Sequence, residues 1–321
     1  MNVSSNRHCL APTLAAALDA AAERYPSHGF TFQDMSGAER FWPFPDVLRE
    51  ANARARALQD AGLKKGDRLG IIIIEPQDFV LTFLAAVRVG IVPVPLYPPM
   101  SMAELDAYIE RMARILTTSK AKLLVVSESL QKVLWQAVDK VPTLDRLVPV
   151  ERLAVTGAPA IPEIGEDDIC FLQYTSGSTS DPKGVVVTHR SLRENVDATM
   201  IHYGFDSETT ISLAWLPLYH DMGLIGFVVS TVFFGKRCIL IPTLRFLKRP
   251  NVWLEAAHRH RAVVTFCPPF ALPLAVRRAT DEQLDAWDLS AMRVVGVGAE
   301  PINPESCRQF IDVFHARCGL R

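Results

Sequence analysis

The chain has no surplus of charge of either sign: 34 lysines and arginines stand against 35 aspartates and glutamates in 321 residues, a net charge of −1. That balance removes the usual electrostatic reason to expect a nucleic-acid partner. Basic residues do gather between Arg245 and Arg261, but apolar residues interleave them, as on a helix with one solvated and one core face. Long hydrophobic runs are also missing. The longest uncharged apolar stretch, Met222 to Gly235, is too short to span a bilayer and contains three glycines, so no membrane span is expected. The alanine-rich start carries Arg7, Asp19 and Glu23 where a secretory signal needs an unbroken apolar core. The six cysteines (Cys9, Cys170, Cys238, Cys267, Cys307, Cys318) lack the paired spacing of a metal site. They read as reduced core thiols, and the expected compartment is the cytoplasm. No internal repeat or low-complexity segment is visible.

What is present is an alternation of helical and strand patterns in a chain that is 49% hydrophobic, long enough for one large or two medium domains. Helical periodicity marks Leu14 to Arg24, Val47 to Ala61, Gln77 to Val89, Ala103 to Ser119 and Ser129 to Lys140. Later helices are expected at Ser191 to Tyr203, Gly223 to Phe234, Pro250 to Arg259, Pro269 to Arg278 and Asn303 to Cys318. Between them lie short apolar runs: Leu69 to Ile74, Gly90 to Pro95, Lys122 to Ser127, Ile169 to Tyr174, Thr210 to Leu216, Lys236 to Ile241, Ala262 to Cys267 and Arg293 to Val297. Continuous apolar runs of this length are the pattern of strands buried on both faces. The alternation therefore predicts an α/β fold with helix-covered parallel sheets and ligands at the carboxyl ends of strands. Pro, Gly and acidic residues crowd Ala154 to Asp168, which suggests a boundary between segments 1–165 and 166–321.

One segment is more specific. Leu172 to His189 reads LQYTSGSTSDPKGVVVTH: a strand, then five hydroxyl residues around Gly177, then Lys183 and a second apolar run, Val185 to Val187. Glycine lets the backbone approach an anion, hydroxyls donate hydrogen bonds and lysine adds a point charge, so the loop suits a triphosphate. The lysine precedes its glycine and the spacing differs from a Walker A loop. This segment resembles the phosphate-binding loop of the adenylate-forming superfamily, which includes acyl-CoA ligases and peptide-synthetase adenylation domains. Trp215-Leu-Pro-Leu-Tyr-His-Asp-Met-Gly-Leu-Ile-Gly226 is similar to the second signature in its fatty acyl-AMP ligase form. Val297-Gly-Ala-Glu-Pro-Ile302 is similar to the third. Gly66-Asp67-Arg68 and Val92-Pro-Val-Pro-Leu-Tyr-Pro-Pro99 also resemble fatty acyl-AMP ligases.

The resemblance implies two stacked, doubly wound, flavodoxin-like subdomains, ending before the family's β-barrel and C-terminal domain. It also implies ATP and Mg2+ as cofactors, a fatty acid as substrate, and activation of that acid to an acyl-adenylate. The acyl group would pass to the phosphopantetheine arm of an acyl carrier protein, on a polyketide or peptide synthase. Coenzyme A as the acceptor, and a non-catalytic nucleotide- or acyl-adenylate-binding fragment, stay open as alternatives. Thr175, Ser176, Gly177, Ser178 and Thr179 would cradle the phosphates, with Lys183 neutralising charge. His220 would sit near the carboxylate and α-phosphate, with Asp221 capping the following helix. Gly298, Ala299 and Glu300 would contact the adenylate, and Pro301 and Ile302 would shape their loop. Met222, Gly223, Phe227, Cys267 and Phe270 are candidates for the acyl channel, though each also suits ordinary core. His189 is divided evenly between a structural and a functional role, while His258 and His260 are expected in solvent. The family's remaining signatures, including its magnesium carboxylate and catalytic lysine, would follow Arg321, so weak or no activity is expected of this chain alone.

Overall fold

The computed structural model describes residues 9–99, 101–153, 157–175, 182–206 and 208–320. In chain order the strands are β1 (Gly29–Gln33), β2 (Glu39–Pro43), β3 (Arg68–Ile72), β4 (Val92–Pro95), β5 (Ala121–Val126) and β6 (Arg146–Pro149). They continue as β7 (Ile169–Thr175), β8 (Lys183–Thr188), β9 (Ile211–Ala214), β10 (Arg237–Leu240), β11 (Val264–Cys267) and β12 (Val294–Val297). A four-stranded sheet in the order β4-β3-β5-β6 is parallel throughout. A six-stranded sheet runs β12-β11-β9-β10-β1-β2, parallel except for β2. β7 and β8 form an antiparallel hairpin of their own.

Two antiparallel pairings thus depart from the all-parallel expectation, and the β1–β2 hairpin shows why. Asp34 Oδ1 accepts from the backbone N–H groups of Ser36 (2.8 Å), Gly37 (2.8 Å) and Ala38 (3.0 Å), and Gly37 has φ +96°. A turn this tight joins only antiparallel neighbours, whereas parallel strands need a long crossover. The sheets also ignore the segment boundary suggested at residue 165. The six-stranded sheet takes β1 and β2 from before it and β9 to β12 from after it.

Side-chain alternation then builds two cores. In β5, Leu123 and Val125 face a large core shared with the six-stranded sheet, while Leu124 and Val126 face a smaller one under the helix Leu105–Ser119. β3 divides in the same way, with Leu69 and Ile71 to one side and Ile72 to the other. Between the sheets runs the helix Pro76–Arg88, buried at every position except Gln77 and Asp78, and touching β1, β3 and β4. A helix apolar all round has to be enclosed. Two arginines buried beside it are paired, Arg54 with Asp78 (2.7 Å) and Arg88 with Asp19 (2.7 Å).

Most expected helices are present within a few residues, and Leu14–Arg24 begins at Thr13, whose Oγ1 accepts from Ala16 N at 3.2 Å. The expected helix 129–140 divides into Glu128–Leu134 and a 3₁₀ stretch, Trp135–Lys140. β1, β2, β6 and the short helices Thr243–Lys248 and Asp281–Ala286 lack any sequence expectation.

Candidate functional site

The sequence motifs leave the carboxyl ends of strands: Trp215–His220 follows β9, Pro268–Phe270 follows β11 and Gly298–Glu300 follows β12. In open α/β sheets this is where ligands bind. The phosphate-loop motif is instead carried by the β7–β8 hairpin. Thr175 and Lys183 are partners in its ladder, so the intervening loop closes between them, and Lys183 is exposed. Ser176, Gly177, Ser178 and Thr179 lie outside the described residues, as does the Thr175 side chain.

His220 is exposed and occupies the N-cap position of a helical stretch. Its Nδ1 lies 2.6 Å from Asp221 Oδ1 and 3.4 Å from Met222 N. The shorter contact places the imidazole proton on Nδ1, donated to Asp221, because a hydrogen bond weakens steeply with distance. Asp221 Oδ1 also accepts the Met222 N–H at 2.7 Å. The cap is therefore His220 rather than Asp221, which stands at the first helical position. Past this start the helix widens to a π-turn over Leu224–Val229 before closing as Ser230–Phe234. Such widened turns recur at functional sites.

The acyl-channel candidates separate. Met222 reaches the third motif: its Cε lies 4.0 Å from where a Gly298 side chain would begin, so these two motifs meet. Gly298 N also donates to Cys267 O at 3.2 Å, and Ala299 holds φ +72°, a left-handed conformation that costs a non-glycine residue energy. Ala299 and Glu300 are exposed. Phe227 and Cys267 are fully buried, Phe227 with its ring edge-on to Phe266 at 5.4 Å. Phe270 is 44% exposed and lies edge-on to Trp215 and Phe246, which stack on each other 3.4 Å apart. Gly223 does not open space as expected: a Cβ there would lie 2.3 Å from Pro217 O, so this glycine lets the helix start pack against the preceding turn. Gly226, one turn on, faces open space instead. An apolar cavity of about 250 Å³ opens beside the same turn, and Ile73, Phe79, Pro98, Leu218, Tyr219 and Ile241 are among the residues that line it.

Sequence reasoning missed the contacts that hold the His220 turn. Gln173, buried in β7, donates from Nε2 to Tyr219 O at 2.8 Å. The Tyr219 ring lies 6.4 Å from that of Tyr97, whose carbonyl accepts from Tyr108 Oη at 2.7 Å. The proline-rich segment after β4 is thus packed against the second motif. The Gly66-Asp67-Arg68 motif is structural: Asp67 pairs with Lys122 (2.7 Å), and Arg68 donates to the carbonyls of Gly66, Ser119 and Lys120.

The other histidines are structural too. His189 is buried, its Nδ1 accepts from Leu14 N at 3.1 Å, and burial pushes its pKa down to about 4. His258 and His260 are not free in solvent. His258 Nδ1 accepts from Asp288 N at 2.9 Å, and His260 Nε2 bonds Glu39 at 3.0 Å.

A family model described as AMP-binding enzyme matches residues 18–319. The chain belongs to that family. A putative acyl-CoA synthetase of Caulobacter vibrioides is 32% identical over 94% of this chain and 53% of its own length. The medium-chain-fatty-acid–[acyl-carrier-protein] ligase JamA of Moorena producens is 30% identical over 83% of this chain and 46% of its own. Among solved structures, one from work on fatty acyl-adenylate ligases of E. coli and L. pneumophila matches with TM-score 0.89 and 32% identity. It covers 95% of this chain and 55% of that one. The chain spans about half the length of the curated relatives it matches. The fold is accordingly that of the N-terminal domain of adenylate-forming enzymes. No helix among the described residues is long and apolar enough to cross a membrane.

Proposed function

We propose that this chain carries the ATP and fatty-acid sites of a fatty acyl-AMP ligase, whose complete form passes the acyl group to an acyl carrier protein. The observation that carries this reading is the meeting of motifs: Gln173 of the phosphate-loop strand bonds the His220 turn, and Met222 from that turn faces Gly298. In the first step a carboxylate oxygen attacks the α-phosphorus of ATP, and the bond to the bridging oxygen breaks to release pyrophosphate. The two reactants repel each other, so the site must supply donors, positive charge and alignment.

Thr175, Ser176, Gly177, Ser178 and Thr179 cradle the β- and γ-phosphates in this reading, and Lys183 neutralises charge at the loop's far end. Magnesium, a hard cation that prefers oxygen, is carried on those phosphates and supplies further neutralisation when bound. His220, with its proton held at Nδ1 by Asp221, offers Nε2 towards the reacting carboxylate and α-phosphate. Gly298, Ala299 and Glu300 border the adenylate. Met222 and Phe270, with Gly223, Phe227 and Cys267 behind them as packed support, shape the acyl side. In the second step a pantetheine thiol attacks the acyl carbonyl and AMP leaves. A carrier protein as the donor of that thiol is supported by JamA, whose name specifies that acceptor, and coenzyme A is supported by the name of the Caulobacter relative.

Calorimetric titration with a non-hydrolysable dodecanoyl-adenylate analogue, beside its acetyl counterpart, tests the reading. Binding of the long-chain form at least about tenfold tighter is expected, since each buried methylene contributes about 0.8 kcal/mol. Equal affinities, or none, would remove the fatty-acyl assignment from these residues.

A further inference from the structure

Gln173 is a polar residue in a place where an apolar one would be cheaper. It is 7% exposed and sits in β7 between Leu172 and Tyr174, both of which pack against the smaller core. Its Oε1 is buried without a hydrogen-bond partner among the described residues. Leaving a buried carbonyl oxygen unpaired costs about 1–3 kcal/mol. The orientation of the amide follows from its neighbour: the Tyr219 carbonyl needs a donor, so Nε2 must face it, and the 2.8 Å bond fixes that arrangement. β7 gains little stability from such a residue. What it gains is a tie across 46 residues of sequence, from the strand that enters the phosphate loop to the carbonyl immediately before His220.

Resting on the reading above, we infer that Gln173 is a positioning residue that sets the distance between the phosphate loop and the His220 turn. A ligand occupying only one side feels this tie weakly. A ligand spanning both, as an acyl-adenylate does, depends on the two halves being held in register, because preorganisation lowers the cost of binding. The strand's alternation supports the placement: Gln173 and Thr175, two residues apart, emerge on the same face of β7. The orphan oxygen is the second sign, for a buried unpaired acceptor in a native fold calls for a reason beyond packing.

The test compares ligands as well as variants. In Q173M the side chain keeps its reach and loses its amide. Affinity for the dodecanoyl-adenylate analogue is expected to fall about tenfold, the upper range for one neutral hydrogen bond, while affinity for ATP alone changes less than about twofold. The melting temperature should stay within about 3 °C, since losing the tie is offset by losing the orphan oxygen. Q173E supplies a rescue: its carboxylate cannot donate to Tyr219 O, but its protonated form can. Its affinity relative to the parent chain should therefore recover between pH 8 and pH 5.5. Equal affinity of Q173M and parent for the analogue would overturn the inference, as would equal loss for ATP alone. Should Q173M fail to fold, Q173E decides, and a pH-independent ratio counts against the tie. A parent chain that binds neither ligand would defeat the functional reading itself, and this inference with it.

Discussion

At the scale of single residues, His189 shows how burial turns a titratable group into a stability switch. Its Nδ1 accepts from the first residue of the N-terminal helix, and burial holds its pKa near 4 against an ordinary value near 6.5. Above pH 6.5 the imidazole is neutral whether the chain is folded or not. As pH falls from 6.5 towards 4 only the unfolded chain takes up the proton, so stability drops across that window, by about 2 kcal/mol at pH 5. Lys236, buried beside Ser230 and Met200 with its pKa pushed down to about 8, acts in the same direction but in a separate window, between about 8 and 10.5. Asp168, held below the ordinary carboxylate range by Lys65, acts only at still lower pH. Urea unfolding of His189→Gln at pH 7.5 and pH 5 isolates the effect: the variant should lose about 2 kcal/mol less than the parent between the two. An unchanged slope would show that the proton goes elsewhere. The residue itself, in its place after the phosphate-loop strand, was visible in the sequence. Its role was not, because the partner that settles it lies 175 positions away.

At the scale of elements, the helix after β9 separates two glycines that look alike in sequence. Gly223 has Pro217 O 2.3 Å from its missing Cβ, whereas Gly226 has nothing within 4 Å. Gly223→Ala must push the helix start away from the turn that carries His220, at about 1–3 kcal/mol. Gly226→Ala adds a better helix former in open space and should be neutral or stabilising by up to about 1 kcal/mol. Thermal melts of the two variants should move in opposite directions or differ by several degrees, and equal shifts would refute the packing argument. Helices and buried strands were largely legible at this scale, since Leu14–Arg24 and the apolar run at β3 follow from periodicity and apolar continuity alone. The hairpin β1–β2 was not. Its strands are five residues each, β2 exposes Glu39, Arg40 and Phe41 at the sheet edge, and what fixes them is the Asp34 turn and the pairing of β1 with β10. The π-turn escaped for another reason: a pattern of apolar spacing does not report a one-residue change in backbone pitch.

At the scale of the whole molecule, the motifs were legible because each is local, whereas their meeting is not. The division suggested at residue 165 was a statement about composition, and the sheets answer to a different logic, joining β1 to a partner some two hundred residues later. The same wiring makes a thermodynamic claim. Leu69, Ile71, Leu123 and Val125 of the four-stranded sheet share one core with Phe30, Leu213 and Ile239 of the six-stranded sheet. Phe83, fully buried on the helix between them, lies 5.7 Å from Phe171 of β7 and 6.3 Å from Phe79. Neither sheet can expose its inner face without exposing the other's, so both should unfold in a single transition. Phe83→Ala should destabilise that transition by about 3–5 kcal/mol without splitting it. Tryptophan fluorescence follows mainly the six-stranded side, where Trp215 and Trp253 are buried, while far-UV circular dichroism follows all helices and strands. Coincident midpoints from the two probes, in parent and variant alike, are the expected outcome. Separate midpoints would mean that the shared core contributes less than the cores each sheet keeps for itself, and that the chain divides energetically where its composition changes.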